Sequence, residues 1–346
     1  MSSEINAIVA RQDAIAEGAV SPLPLPRFDK YTVCNLRGGI GKTSLVFNLS
    51  YYMDNILAVD TCPQGNLSYF YDNAYYSNNS ISSYDLVIPY FIPGLGNASR
   101  VARLISATNN NFNGKNSYYI PSSNSLYMLP SQMATALVQA RSMPGQMQVQ
   151  AVDRMLYSLK SEIAREMQET NTTKCLIDTS PFFSGATQLS WNTSDALIVP
   201  ARTDQQSINS LTLLIDTLSN PSSEFRRNMP SDNHAPRIQM VVLTHCGWST
   251  RAGAKNEPNQ QTKVFLQKVK DIVSRNITHF TTSEPDNHIL LLDDFLGSGR
   301  MSSAKSKPMA LLNPGDSMTI NRVKTRVNHS VEKIQAQLEY ISNCIW

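Results

Sequence analysis

The 346-residue chain lacks any uncharged apolar run of about 18 residues, the length a membrane-crossing helix needs, so none is expected. It also lacks a C-x-x-C pair, because its five cysteines, Cys34, Cys62, Cys175, Cys246 and Cys344, are scattered. That spacing argues against a disulfide framework and against a zinc or iron–sulfur centre, and it fits a reduced, cytoplasmic setting. The five histidines show no ligand spacing. No basic stretch followed by an apolar one opens the chain, so no signal peptide is expected. Charge is scarce as well. Charged residues make up 16 %, against about 25 % in a typical globular domain, which excludes a highly charged disordered tail as the main theme. With 30 basic and 27 acidic side chains the net charge is +3. A global attraction to nucleic acid is therefore weak, and any such argument has to be local.

The chain does have a hydrophobic fraction of 41 %, enough for one large domain or two small ones at roughly 100–200 residues each. Residues 3–17 read as a short amphipathic helix. Ser3 is its N-cap, Ile5, Ile8, Val9 and Ile15 recur at helical spacing, and Gly18 stops it. Three prolines at alternate positions, Pro22, Pro24 and Pro26, then force an extended connector, so residues 1–30 form an arm. Beyond it apolar strands alternate with helical runs. Strands are expected at 31–36, 56–60, 125–129, 174–178, 196–200 and 239–244, and helices at 45–53, 147–168, 208–218 and 262–274. Residues 71–127 are rich in Asn, Ser and Tyr, and 109–114 read as a surface loop. Most strands are continuously apolar rather than alternating, the pattern of a parallel sheet covered on both faces. The fold class that follows is α/β, with a doubly wound, mostly parallel sheet.

Between the first strand and the first helix lies Arg37-Gly38-Gly39-Ile40-Gly41-Lys42-Thr43-Ser44. The ordinary phosphate-loop pattern requires a further glycine where Leu36 stands, so that spacing fails. The physics survives the change. Small residues let consecutive backbone N–H groups converge on a phosphate, and the helix that starts here adds its dipole and free amides. Lys42 can reach β- and γ-phosphates, and Thr43 can ligate Mg²⁺. Two of the strands, Ile56–Asp60 and Lys174–Asp178, end in carboxylates that can orient the metal or its waters.

This loop resembles the deviant Walker A of the ParA/MinD family of partition and positioning ATPases, written K-G-G-x-G-K-[ST]-[ST]. Asp60-Thr61-Cys62-Pro63-Gln64-Gly65-Asn66 resembles that family's D-x-D-P-Q-G-N switch I, and Ile177-Asp178-Thr179-Ser180-Pro181 its Walker B and switch II. Leu129-Pro130-Ser131, Ile198-Val199-Pro200, Val242-Leu243-Thr244 and Lys307-Pro308-Met309 are similar to later strand and C-terminal motifs. The likeness runs over about 31–342 and is weak at 71–120 and 278–300. It implies one P-loop NTPase domain over 31–346, of the deviant Walker A type, with ATP and Mg²⁺ as cofactors. Gly38, Gly39, Ile40, Gly41, Lys42, Thr43 and Ser44 would hold the nucleotide, Lys42 and Thr43 binding β/γ-phosphate and Mg²⁺. Asp60 and Asp178 would hold the metal, directly or through water. An ATP-dependent homodimer, non-specific DNA and a ParB-like adaptor are the implied partners, at the nucleoid.

Two departures bear on mechanism. The family's loop opens on a lysine that reaches the partner subunit's phosphates, and here Arg37 stands there, keeping the charge and adding a bidentate fork. It is expected to act as a built-in arginine finger. The second Asp of D-x-D, which positions the attacking water, is here Cys62. Either a thiolate beside Mg²⁺ and Lys42 or a small neutral filler fits that position, and a thiol cannot orient water as a carboxylate does. Slow or partner-dependent hydrolysis is expected.

Residues 300–346 hold seven basic and three acidic side chains, so the local charge exceeds that of the whole chain. A helix over 317–342 is expected, with Ile320, Val323, Val327, Val331, Ile334, Leu338 and Ile341 on one face and Arg322, Arg326, His329 and Lys333 on another. Arg322, Arg326 and Lys333 are the candidate DNA contacts. After Lys333 the chain has no further cation, a poor anchor for anionic lipid, so no membrane attachment is expected. The alternative function is a hydrolysis-impaired ATP-binding scaffold or sensor in a regulatory complex.

Overall fold

Eight strands line up in one sheet: β1 (Lys30–Val33), β2 (Ile56–Asp60), β3 (Arg103–Leu104), β4 (Ser117–Ile120), β5 (Lys174–Asp178), β6 (Ala196–Arg202), β7 (Arg237–Cys246) and β8 (Ile289–Asp293). Their order across the sheet is β3-β4-β2-β5-β1-β6-β7-β8. Every neighbouring pair is parallel except β3 with β4. The computed structural model describes residues 5–77, 81–96, 98–249, 256–320 and 322–346.

Alternation along the strands explains why both faces are covered. Ile56 and Ala58 of β2 and Val33 of β1 face one hydrophobic cluster, while Leu57, Val59 and Ile177 face another. The first cluster is closed by α2 (Lys42–Tyr52) and the C-terminal helix. The opposite face is covered by α5 (Leu129–Arg141), α7 (Ser158–Thr170), α8 (Gly185–Thr193), α9 (Gln205–Ser219) and α11 (Gln260–Arg275). Shorter helices complete the chain: α1 (Asn6–Ala16), α3 (Asn66–Tyr71), α4 (Ser83–Val87), α6 (Gln146–Leu156), α10 (Glu224–Arg227), α12 (Leu296–Lys305) and the longer α13 (Ser330–Ile345). The doubly wound, mostly parallel α/β sheet is as expected. Among the described residues, no helix is long and apolar enough to cross a membrane.

Four local expectations are corrected. The strand expected at 125–129 is instead a 3₁₀ turn, Asn124–Tyr127, started by Ser123 accepting from the Ser125 amide, and α5 begins at Leu129 with Pro130 in its first turn. The strand of this region is β4, eight residues earlier in the tyrosine-rich stretch. The helix expected over 147–168 is two helices broken at Tyr157, whose hydroxyl donates to Asp232 at 2.6 Å. The stretch 109–114 includes a short 3₁₀ turn with Asn109 and Phe112 buried rather than an open surface loop.

The last correction is the largest. The helix expected over 317–342 is a β-hairpin, β9 (Ser317–Ile320) with β10 (Val323–Arg326), followed by α13. Thr319, Ile320, Val323 and Thr325 give the two short segments a β-branched content that suits strands better than a helix. The basic stripe is thereby divided. Arg322 sits at the hairpin turn with φ 66°, Arg326 on β10 and Lys333 on α13.

The arm lies against the domain. The cap expected at Ser3 is outside the described residues. Ile5, Ile8 and Ile15 are buried, and α1 packs on α13 and β8. Arg11 donates to the carbonyl oxygens of Asp286, at 2.8 Å, and of Ile289, where β8 begins. Removing that fork leaves both carbonyls without their donor. Arg11→Ala is expected to lower unfolding stability by about 1–3 kcal/mol. A urea midpoint equal to that of the native chain would show that the arm does not hold β8.

Candidate functional site

The site forms at the carboxyl ends of β1, β2 and β5, where a doubly wound sheet opens its crevice. β1 runs into the loop 37–41 and α2 starts at Lys42, so the loop delivers a helix N-terminus into the crevice. Gly39 and Gly41 have φ of +70° and +91°, the left-handed region that suits glycine, and a Cβ on either would meet nothing within 4 Å. The space above the loop is therefore open. No side chain caps α2, so no capping side chain competes with an anion at its first amides. Ile40 is buried, and its carbonyl accepts from Thr244 Oγ1 of β7 at 3.1 Å, which ties the loop to the sheet. Ser44 lines the adjoining cleft.

Lys42 is buried, and its Nζ donates to the carbonyls of Asn35 at 3.2 Å and Arg37 at 2.6 Å. Burial pulls its pKa down, and Asp178 opposes that shift. Thr43 Oγ1 donates to Asp178 Oδ2 at 2.7 Å. Asp178 is fully buried, and its Oδ1 has no hydrogen-bond partner among the described residues. Asp60 is its register partner on the neighbouring strand. Asp60 is differently employed: Oδ1 accepts from the Cys62 amide at 3.0 Å, and Oδ2 from the Ser68 amide at 2.9 Å and hydroxyl at 2.7 Å. Burial raises both carboxyls, Asp60 to about 6 and Asp178 to about 7, the second also pushed by the Asp60 charge.

These residues fit a Mg²⁺–phosphate group. Two buried carboxylates at adjacent strand ends repel each other, one oxygen is left bare, and a hydroxyl stands on the same carboxylate. A hard divalent cation takes such oxygens. Thr43 and Asp178 would hold it, with Asp60 organising switch I beside it. That cation would neutralise the developing charge on transferred phosphate when bound.

Cys62 is buried, and burial pushes its thiol up to about 12, with the Asp60 and Asp178 charges adding to the shift. In the metal-free protein this position fits the neutral filler of the two readings. Its carbonyl accepts from Ser122 Oγ at 2.5 Å, which holds the switch segment to the chain after β4. Arg37 does not project freely. It is paired with Asp204 and donates to Ser207 Oγ at 2.6 Å. Asp204 caps α9 through the Ser207 amide at 2.9 Å. Burial would raise its carboxyl, but the Arg37 hydrogen bond and the Ser207 amide carry it below the ordinary range.

Beside the loop opens a cleft of about 940 Å³, running from Gly39 and Gly41 past Tyr69 and Thr244 to His245, Asp293, Asp294 and α12. Its far wall lies in the stretch where the sequence resemblance is weak. One signal was available there: Ile-Leu-Leu-Leu-Asp at 289–293 is an apolar strand ending in a carboxylate, like β2 and β5. Asp204 and Ser122 had no such signal, since each acts through the chain it caps or braces. Lys333 is remote from Arg322 and Arg326 in role. Its Nζ lies 3.0 Å from the Trp248 ring centroid and 3.7 Å from the buried Asp293 carboxylate, so it braces the wall of this cleft.

The carboxyl pair gives the chain a pH dependence. A carboxyl raised in the folded state binds protons more tightly there than in the unfolded chain, so stability of the ligand-free protein falls as pH rises from about 4 to about 7 and levels off above. Asp178→Asn is expected to abolish most of that fall and to raise the melting temperature at pH 8 in the absence of metal. Parallel melting curves for variant and native chain between pH 5 and pH 8 would contradict the assignment.

Residues 29–230, more than half of the chain, match the model of a family described as an AAA domain. No functionally curated protein matches the sequence significantly. Among solved structures, an ATP complex of a McdA variant from Cyanothece superposes with a TM-score of 0.58 at 14 % identity, covering 92 % of this chain and 98 % of that one. A putative plasmid partition protein from Borrelia burgdorferi B31, bound to AMPPNP, gives 0.54 at 15 % identity, with 91 % and 98 % covered. At such identities the likeness is one of fold. Together with the loop, switch I and switch II motifs at the crevice, the family match settles the identity: the chain belongs to the AAA-domain family, with the P-loop fold of ParA/MinD-type ATPases.

Proposed function

We propose that the chain is an ATP-dependent dimerising switch of the ParA type, which binds ATP with Mg²⁺, carries or positions a cargo over DNA, and is reset by hydrolysis that a ParB-like adaptor stimulates. The observation that carries the reading is the bare, buried Oδ1 of Asp178 beside Thr43, under an open glycine loop at the N-terminus of α2. The two structural neighbours support it, having been solved with ATP or AMPPNP. Lys42 would exchange its loop carbonyls for β- and γ-phosphate oxygens. Arg37, which holds Asp204 through one nitrogen and one carboxylate oxygen, would leave it for the phosphates of a second subunit, where its fork can make two bonds. A cytoplasmic, nucleoid-associated location follows from DNA binding.

Cys62 supports a slow intrinsic rate, and it is the feature that favours the second reading, an ATP-binding scaffold. A protonated, buried thiol is a weak acceptor and cannot align water as a carboxylate does. Turnover and sizing chromatography test both readings. Lys42→Ala is expected to lose nucleotide binding. Arg37→Ala is expected to keep nucleotide binding but stay monomeric with ATP. Cys62→Asp is expected to hydrolyse at least about tenfold faster than the native chain. Brisk turnover of the native chain, undiminished in Cys62→Ser, would overturn the role given to Cys62. Binding of ATP without dimerisation would favour the scaffold.

A further inference from the structure

The corrected C-terminal region places five cations on two elements that touch. α12 packs against both strands of the β9–β10 hairpin. Arg300 and Lys305 of α12 and Arg322, Lys324 and Arg326 of the hairpin are all exposed, and among the described residues none of them makes an ion pair. Residues 317–326 contain no acid at all. The nearby Asp316 is engaged with Lys307, 3.9 Å away. On β10 the buried Thr325 separates Lys324 from Arg326, so the two cations share a face about 6.6–6.8 Å apart. That is close to the rise of two nucleotides along one strand of duplex DNA, at ~3.4 Å each.

α12 also forms part of the cleft wall, through Leu296, Gly299, Ser302 and the exposed Arg300 at its rim. Where helix meets hairpin, a Cβ on Gly297 would lie 3.2 Å from the Arg326 carbonyl oxygen and 3.6 Å from Thr325 Cγ2. Glycine here lets β10 lie directly on the helix backbone. Two glycines and three serines in ten residues make α12 intrinsically weak, so its stability rests on what it packs against.

We infer that the β9–β10 hairpin, together with the exposed face of α12, is the surface that grips the phosphate backbone of duplex DNA, and that α12 transmits the state of the nucleotide cleft to it through the Gly297 contact. The inference rests on the ATP-switch reading and adds to it the surface and the connection. Contacts of this kind read charge and spacing rather than sequence. Among the described residues, Val323 of β10 and Leu296 of α12 are the exposed large apolar residues here, at 58 % and 60 %, and two such residues are too small an apolar face to favour lipid.

The test uses the full chain and a fluorescent duplex of arbitrary sequence, with anisotropy read in ATP analogue plus Mg²⁺ and in ADP. The triple variant Arg322→Gln, Lys324→Gln, Arg326→Gln should bind DNA at least about tenfold more weakly at ~0.1 M salt, and the slope of log affinity against log salt should fall by roughly 3. Its nucleotide binding and melting temperature should equal those of the native chain. Gly297→Ala should bind nucleotide normally and still bind DNA, with a smaller difference between the ATP-analogue and ADP states. Equal DNA affinity of the triple variant and the native chain would overturn the surface while leaving the ATP switch standing. Absence of DNA binding by the native chain in every nucleotide state would overturn both. Binding to vesicles of anionic lipid in place of DNA, lost in the triple variant, would reassign the surface to a membrane.

Discussion

Two carboxylates at the same level of neighbouring parallel strands, buried in the middle of a sheet, are the constraint around which the rest is arranged. Asp60 and Asp178 are register partners, so the sheet itself holds their negative ends together in a low-dielectric crevice. Burying an uncompensated charge is expensive, and a second one beside it more so. The surrounding chain answers group by group. The Cys62 amide and the Ser68 amide and hydroxyl quench Asp60, which fixes switch I and the start of α3. Thr43 takes one oxygen of Asp178, which sets the first turn of α2, and Lys42 adds its charge from the loop. One oxygen is left over. A site satisfied in all but one hard oxygen is poised for a cation rather than merely tolerant of one.

The parts of this arrangement that were legible in the sequence are those written in contiguous residues. A continuously apolar strand that ends in Asp is readable because strand period, burial and terminus coincide, and β2 and β5 were located that way. The glycine loop was readable because its flanking strand and helix are both short-range patterns. The hairpin at 317–326 was misread because its apolar residues, Ile320, Val323 and Val327, also satisfy a helical step of three and four, and the pattern continues without interruption into the true helix α13. Period alone does not decide between two elements when β-branched residues supply it. Tyr157 hid in the opposite way. The apolar stripe crosses the break between α6 and α7 unchanged, and the backbone leaves the helix at Tyr157, with φ −99° and ψ 11°, where the side chain bonds to Asp232, 75 residues further along. Asp204 and Ser122 belong to that class too, since their bonds to Arg37 and to Cys62 join segments far apart in the chain.

Arg37 and Cys62 are best understood together against this background. The Arg37–Asp204 pair is partly solvent-exposed, at 23 % and 37 % for the two side chains. Pairs of that exposure are worth about 0–1 kcal/mol, so the pair is a resting place rather than a lock, and a phosphate that engages both nitrogens of the fork competes with a contact that uses one. Dimerisation through Arg37 would therefore be energetically accessible. Water alignment through Cys62 is another matter. In the metal-free protein the thiol is pushed up by burial and by the same two carboxylates that would prepare the metal site. On the proposed reading, such a crevice would assemble a nucleotide-bound state more readily than discharge it, and an outside partner would have a definite task, which is to bring the acceptor that position 62 lacks.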